Sequence, residues 1–369
     1  MADSSRGNNF KIGIFAVNCS GGIATTTVPE RWEPTWENNL EIAQMADTAG
    51  LEFMLPLGRW AGYGGDTDHN GTSFETLVWA GGILAATKRI IVFSTLHVGL
   101  INPIFAAKQI TTCDHIGKGR FGLNIVCGWN EDEFNMFGVP LGEHHRRYEQ
   151  GEEWLNICKR IWTETEPFNF DGKFFKLKNV RAEPKPISDP WPLIMNAGGS
   201  PAGRDFAVRN ADYLFRNIPT LEKGREDVAH VREQSRAIGR DVGIFTNAYV
   251  VCRPTTKEAE DFHHYYAVDH ADKDAVDRMF IGRGVRDDPT LSDEVKQAMW
   301  RRIAAGNSAY PIIGNPDMVV AKMQELSDMG VSGIAMGLVN YTQHFPYFRD
   351  EVLPRLERAG LRKEVANVR

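Results

Sequence analysis

Two polar side chains sit where the surrounding pattern calls for apolar ones: Thr95 within IIVFSTLHV and Asn124 within GRFGLNIVCGW. Both runs read as buried strands, where an unpartnered hydroxyl or amide costs on the order of 1–3 kcal/mol. Each therefore needs a ligand, a water or the other. A Gly128-Trp129 turn follows the second run, then the acidic segment Asn130 to Glu133 and the polar cluster His144, His145, Arg146, Arg147, Tyr148. Polar groups at the carboxyl end of a buried strand are where a parallel α/β protein keeps its site. Further on, Ser200 closes AGGS, where a strand gives way to a glycine turn and a helix. Backbone N–H groups and the helix dipole there favour an anion, most simply a phosphate; a serine in that place also serves as an ordinary cap. Arg147 and Tyr148, opening another helix, offer a cation and a hydroxyl to that phosphate, or else a solvated surface. Together these residues describe a deep, aromatic-walled pocket for a flat, phosphate-bearing ligand.

Other chemistries find little support. The string Gly117-Lys-Gly119-Arg-Phe-Gly122 has dinucleotide-loop spacing, but it precedes a strand instead of following one and opening a helix. There is no Walker loop, no H-E-x-x-H and no lipase elbow. The doublets His144-His145 and His263-His264 are adjacent pairs, which diverge on a helix and make poor metal ligands. The first strand ends AVNCS, without the H-x-H of a metal-dependent barrel hydrolase, and the fourth offers no carboxylate for a glycosidase. No metal is expected.

Positioning such a site takes a framework of alternating strands and helices. Strands are expected at Lys11–Val17, Glu52–Leu57, Ile90–Val98, Phe121–Cys127, Leu193–Ala197, Tyr213–Asn217, Gly243–Cys252 and Val331–Val339. Helices are expected at about 35–49, 73–87, 103–116, 146–162 and 345–361, with a small hairpin around Asp171-Gly172. Residues 255–313 read as a charged helical insertion without a strand. Eight short apolar runs alternating with helices are the pattern of a (β/α)8 TIM barrel, an α/β fold; a doubly wound sheet is the alternative. The 369 residues, 42% of them apolar, suffice for one such barrel domain spanning 1–369. A formal net charge of −6 argues against nucleic acid. Five scattered cysteines suit reduced thiols, the amino terminus lacks a signal-peptide run, and no stretch is long and apolar enough for a bilayer. A cytoplasmic protein without membrane attachment is the expectation.

The series GRFGLNIVCGW, E-D-E-F, RRY and AGGS, in that order, resembles the bacterial-luciferase-like flavin-dependent monooxygenases, over essentially the whole chain. Within them the chain looks most like the pyrimidine (uracil) monooxygenase branch, with dimethylsulfone and alkanesulfonate monooxygenases as neighbours. The resemblance implies a barrel with a late insertion and a two-component enzyme. FMNH2 comes from a separate NAD(P)H-dependent flavin reductase, and O2 is the co-substrate. It places FMN against Gly58, Arg59, Asn124, Glu133, Arg147, Tyr148 and Ser200. It assigns an oxygen pocket to Leu55, Thr95, Asn124, Val126 and Trp129. All five residue types match the uracil enzyme, whereas Cys127 replaces a threonine. The loops NCSGGIATTTV and GRWAGYGG look closer to the dimethylsulfone branch. The implied chemistry is a flavin peroxide, at nitrogen-5 if the uracil branch is followed, acting on a pyrimidine or amide, a sulfone or a related small compound. Arg59, His69 and His97 are candidates for holding that substrate. Family habit implies a homodimer or homotetramer. An F420-dependent dehydrogenase on the same barrel and a non-catalytic flavin-binding relative are the competing expectations.

Overall fold

The computed structural model describes residues 8–363. Its principal strands are β1 (Lys11–Phe15), β2 (Phe53–Leu55), β3 (Ile91–His97), β4 (Phe121–Val126), β5 (Phe168–Asp171), β6 (Lys176–Val180), β7 (Leu193–Asn196), β8 (Tyr213–Phe215), β9 (Gly243–Cys252), β10 (Tyr310–Gly314) and β11 (Gly333–Gly337). The order β10-β9-β11-β1-β2-β3-β4-β7-β8, with β9 also paired to β8, is a closed (β/α)8 barrel of eight parallel strands plus β10 as an extra one. The doubly wound alternative falls. The hairpin at Asp171-Gly172 is β5–β6, an antiparallel pair. Each expected barrel strand is present, shortened by one or two residues at one or both ends except the seventh. Residues 255–313 differ from the expectation of helix alone, because β10 lies at their end and pairs in parallel with β9 from Tyr310↔Ala248 to Gly314↔Cys252. The run YPIIG is too short and too interrupted by proline to announce itself as a strand; the neighbouring β9 supplies its partner.

The contacts cluster into two compact units. One holds Glu75–Phe215 and His230–Gly243; the other holds the amino-terminal stretch up to Phe74, Arg216–Ala229 and the stretch from Ile244 onward.

In the first unit, β3 and β4 pair in register from Val92↔Phe121 to His97↔Val126, and β4 continues to β7. Strand alternation then decides which side chains line the interior. Gly122 opposes Phe93, and a Cβ there would stand 2.4 Å from the Phe93 ring, so the glycine makes room for the phenylalanine. Helix ends obey local chemistry. Asn102 caps Pro103–Gly117 by accepting from the Ile104 N–H (2.9 Å), and Lys118 ends that helix in the left-handed region.

In the second unit, β1 pairs with β2 and β11, and β11 with β9. Phe53 and Phe245 pack with ring centroids 4.9 Å apart over the bare Gly13 and Gly333. Arg362 forms a buried ion pair with Glu52 (2.7 Å), whose same oxygen also accepts from the Ile12 N–H, while Arg362 donates to the Gly50 carbonyl. The insertion folds as helices Thr256–His264, Lys273–Gly282 and Asp293–Gly306, with one π turn at Tyr265–Asp269. Val276, Met279, Phe280, Ile303 and Ala304 form its core, against which Tyr63 packs.

Candidate functional site

The polar pair inside the first unit is built by register. Thr95 on β3 lies directly across from Asn124 on β4, and the Asn124 amide donates to the Thr95 hydroxyl at 3.1 Å. Of the three outcomes open to these residues, they meet each other. The pairing is incomplete: Asn124 is 4% exposed, and its Oδ1 has no hydrogen-bond partner among the described residues. An acceptor left bare in a barrel interior is an unmet demand for a donor.

Immediately beyond the carboxyl end of β4 lies a cavity of about 220 Å³, lined by Val126 to Trp129, His144, Arg147, Tyr148 and Asn196 to Ser200. Three of its walls can be traced to local sequence. Gly128 takes a φ of +108°, where a Cβ would strike the Phe134 ring, so the turn needs glycine. Helix His144–Thr163 begins at the cavity and presents Arg147, whose Nη1 donates to the Gly128 carbonyl (2.9 Å) and whose Nε is buried without a partner among the described residues. Ser200 caps helix Pro201–Asn210 by accepting from the Gly203 N–H at 3.1 Å. Both meanings of that serine therefore hold, since a cap and a cavity wall are the same atom.

Tyr148 lies beside them. Burial pushes its phenol up, offset in part by a hydrogen bond with Ser200, so it stays a neutral hydroxyl. Cys127 is held up to about 12, by burial first and Glu152 second. It is a protonated thiol, unsuited to nucleophilic work. Pro201 brings no N–H to the helix start, which leaves Arg147 and Tyr148 a larger share of any phosphate. Guanidinium, phenol, helix start and glycine turn at one cavity fit a phosphate-bearing group, and the bare amide oxygen of Asn124 fits a ring N–H or another donor.

Several expectations need correction or refinement. Trp129 is neither core nor a buried aromatic wall: it is 50% exposed at the cavity edge. The acidic segment that follows it is a short helix, Glu131–Met136, capped by Asn130, and it carries Glu133 inward to 1% exposure. His97 is buried with its ring edge-on to Phe134 (6.4 Å). The two histidine doublets diverge: His144 faces the cavity and His145 approaches Glu143, while His263 stacks on Tyr249 and His264 approaches Asp269. Among the described residues no group of three or more His, Cys, Asp or Glu is placed to hold a metal. Likewise, no described helix is long and apolar enough to cross a membrane.

Asn196 was not singled out from sequence. Its amide donates to the Ile125 carbonyl (2.8 Å) and its Oδ1 accepts from the Gly198 N–H (3.0 Å), tying β4 to the glycine turn. Its signal resembled that of Asn124, an amide in an apolar run, here at the run's end.

In the second unit, Leu55 is buried at the end of β2, followed by Gly58 and the buried Arg59. Arg59 donates to the Tyr63 hydroxyl and lies over the Tyr63 ring, 4.7 Å from its centroid. His69 stacks on the Tyr63 ring, centroids 6.2 Å apart, and is 1% exposed.

Comparison with known proteins agrees with this architecture. The chain is 31% identical over 351 residues to the FMNH2-dependent dimethylsulfone monooxygenase of Pseudomonas putida, covering 93% of this chain and 94% of that one. It is 28% identical over 355 residues to pyrimidine monooxygenase RutA of Acinetobacter baylyi, covering 93% and 94%. The crystal structure of the long-chain alkane monooxygenase LadA superposes with a TM-score of 0.85 at 20% identity, covering 97% of this chain and 93% of that one, which speaks to the fold. The model of the luciferase-like monooxygenase family matches residues 10–333, and the chain belongs to that family.

Proposed function

We propose that this protein is a two-component monooxygenase that takes reduced FMN from a separate flavin reductase and transfers one atom of O2 to a small organic substrate. The observation that carries it is the buried amide of Asn124, held by Thr95 and still lacking a partner for its oxygen, two residues before Val126, which lines a cavity equipped for a phosphate. The named activities of relatives similar over more than nine-tenths of the chain support the same cofactor.

Arg147, Tyr148 and the Ser200 turn hold the phosphate. Arg147 supplies charge and a rigid fork; Tyr148 supplies a neutral donor. Asn124 and Thr95 orient the reacting oxygen by hydrogen bonds that need no reorganisation, because the strands already fix them. Val126 and Trp129 border that space, Trp129 from the rim, where it limits the entry of water. Glu133, buried beside the same strand end, offers a carboxylate to the cofactor edge. The resemblance assigns Gly58 and Arg59 to the same cofactor and Leu55 to the oxygen pocket. Reduced FMN, when bound, supplies the electrons that activate O2.

The test is oxygen uptake with FMN, NADH and a generic flavin reductase, with uracil, dimethylsulfone and short alkanesulfonates screened for incorporated labelled oxygen. Tight FMNH2 binding with label entering one substrate class is the expected result. Failure to bind reduced FMN overturns the assignment.

A further inference from the structure

The turn that carries Ser200 is held in place from behind, by a side chain that lines the cavity. Asn196 ends β7 and is 1% exposed, and its register partner on β4 is Ile125. Its Nδ2 donates to the Ile125 carbonyl (2.8 Å), adding a side-chain bond where the ladder between the two strands runs out. Its Oδ1 accepts from the Gly198 N–H (3.0 Å), two residues on, the bond by which an asparagine closes a turn on itself. One amide thus joins β4 on one side to the glycine turn on the other.

The turn has little room to move. A Cβ on Gly198 would stand 2.6 Å from Asn196 Oδ1 and 2.6 Å from the Gly203 Cα. A Cβ on Gly203 would stand 2.6 Å from the Gly198 Cα and 2.6 Å from the Tyr148 hydroxyl. Neither glycine has a left-handed φ, so contact alone bars a side chain at either position. Backbone therefore packs on backbone between the turn and the first turn of helix Pro201–Asn210. The Gly203 N–H donates to Ser200 Oγ (3.1 Å), and Ser200 hydrogen-bonds Tyr148. Contacts run without a gap from Asn196 through Gly198 and Gly203 to the two hydroxyls at the phosphate end. From the other end of the same amide, Ile125 leads along β4 to its neighbour Asn124. A cofactor gripped at its phosphate and reacting at its ring needs those two ends correctly spaced, and a misplacement of about 1 Å can cost on the order of a hundred-fold in rate.

We propose that Asn196 is a positioning residue, which sets the phosphate end of the cofactor relative to Asn124 by anchoring the glycine turn to β4. This role deepens, and rests on, the monooxygenase reading. Asn196 fulfils it through Gly198, Ser200 and Tyr148.

The test compares reduced FMN with reduced riboflavin, which lacks the phosphate, by anaerobic quenching of tryptophan fluorescence. The unsubstituted protein should prefer FMN. Asn196→Leu removes both bonds of the amide and should cut the ratio of FMN to riboflavin affinity by about five-fold or more, the worth of one hydrogen bond, while riboflavin affinity stays within about two-fold. Asn196→Ser, whose hydroxyl can still close the turn, should keep more of the ratio. Gly198→Ala should reproduce the loss by another route, because its methyl group pushes the turn off Asn196 and Gly203. A merely structural asparagine would lower the thermal midpoint and leave the ratio alone. A ratio cut by less than about five-fold in Asn196→Leu overturns the proposal; should that variant not fold, Gly198→Ala decides by the same ratio. An unsubstituted protein that binds both flavins equally has no phosphate seat at this turn, and the cofactor reading then falls together with the role of Asn196.

Discussion

Replacing Asn124 by leucine separates what the residue does for folding from what it does for chemistry. The substitution removes one hydrogen bond, Asn124 Nδ2 to Thr95 Oγ1 at 3.1 Å, whose net worth is about 0.5–1.5 kcal/mol. It also removes Oδ1, a buried acceptor without a partner, whose desolvation costs about 1–3 kcal/mol. Leucine has similar bulk and prefers a buried strand. The balance favours leucine, by about 0–2 kcal/mol in the flavin-free protein, with a thermal midpoint unchanged or raised by up to about 3 °C. Turnover should respond in the opposite sense. With FMNH2 supplied, oxygen uptake continues but labelled product falls and hydrogen peroxide rises, because the group that orients the reacting oxygen is gone. The assays are thermal unfolding without flavin and the ratio of product to oxygen consumed. A destabilisation above about 2 kcal/mol would mean the amide is a structural strut, and unchanged coupling would remove Asn124 from the reaction. Such a site, less stable than it could be, is what function commonly demands of a core.

The other predictions concern single contacts. Ser200→Ala removes the cap on helix Pro201–Asn210 and a hydrogen bond with Tyr148, so FMNH2 affinity should weaken by about 1–2 kcal/mol in fluorescence titration, and an unchanged affinity would move the phosphate elsewhere. Arg362→Met strands the buried Glu52 carboxylate and should cost about 3–5 kcal/mol in denaturant unfolding; a loss under 1 kcal/mol would refute the ion pair as a staple. His69 and His344 both stay neutral in the folded protein down to about pH 3, burial being the main cause, whereas the unfolded chain protonates them near 6.5. The unfolded state thus binds the extra protons between those values, and stability falls on acidification by about 1.4 kcal/mol per pH unit for each histidine. Unfolding midpoints at pH 7.5 and 5.5 should diverge, and the His69→Asn/His344→Asn pair should flatten the slope; a slope equal to that of the unsubstituted protein would sink the account.

Much of the architecture was written in local pattern. Apolar runs of strand length, separated by helices with their own start and stop residues, determined a barrel before any contact was known. Thr35, Asn102 and Ser200 announce helix starts because their side chains satisfy N–H groups within three residues, a wholly local bond. Thr95 and Asn124 were conspicuous for the same local reason, being polar in apolar runs. What they would bond to was not legible. Only parallel pairing of β3 with β4 sets them opposite one another, and only the third dimension leaves Oδ1 bare. Trp129 shows the reverse error: an aromatic next to a buried strand suggested a wall, yet the Gly128 turn throws it half into solvent. The strand β10 depends on β9 for its definition, since a strand is a property of a pair and carries little signal alone. Likewise, Tyr63 and Arg278 lie 215 positions apart, and no periodicity relates them. Only sequence-distant packing seats Gly64 and Gly65 on the insertion helix.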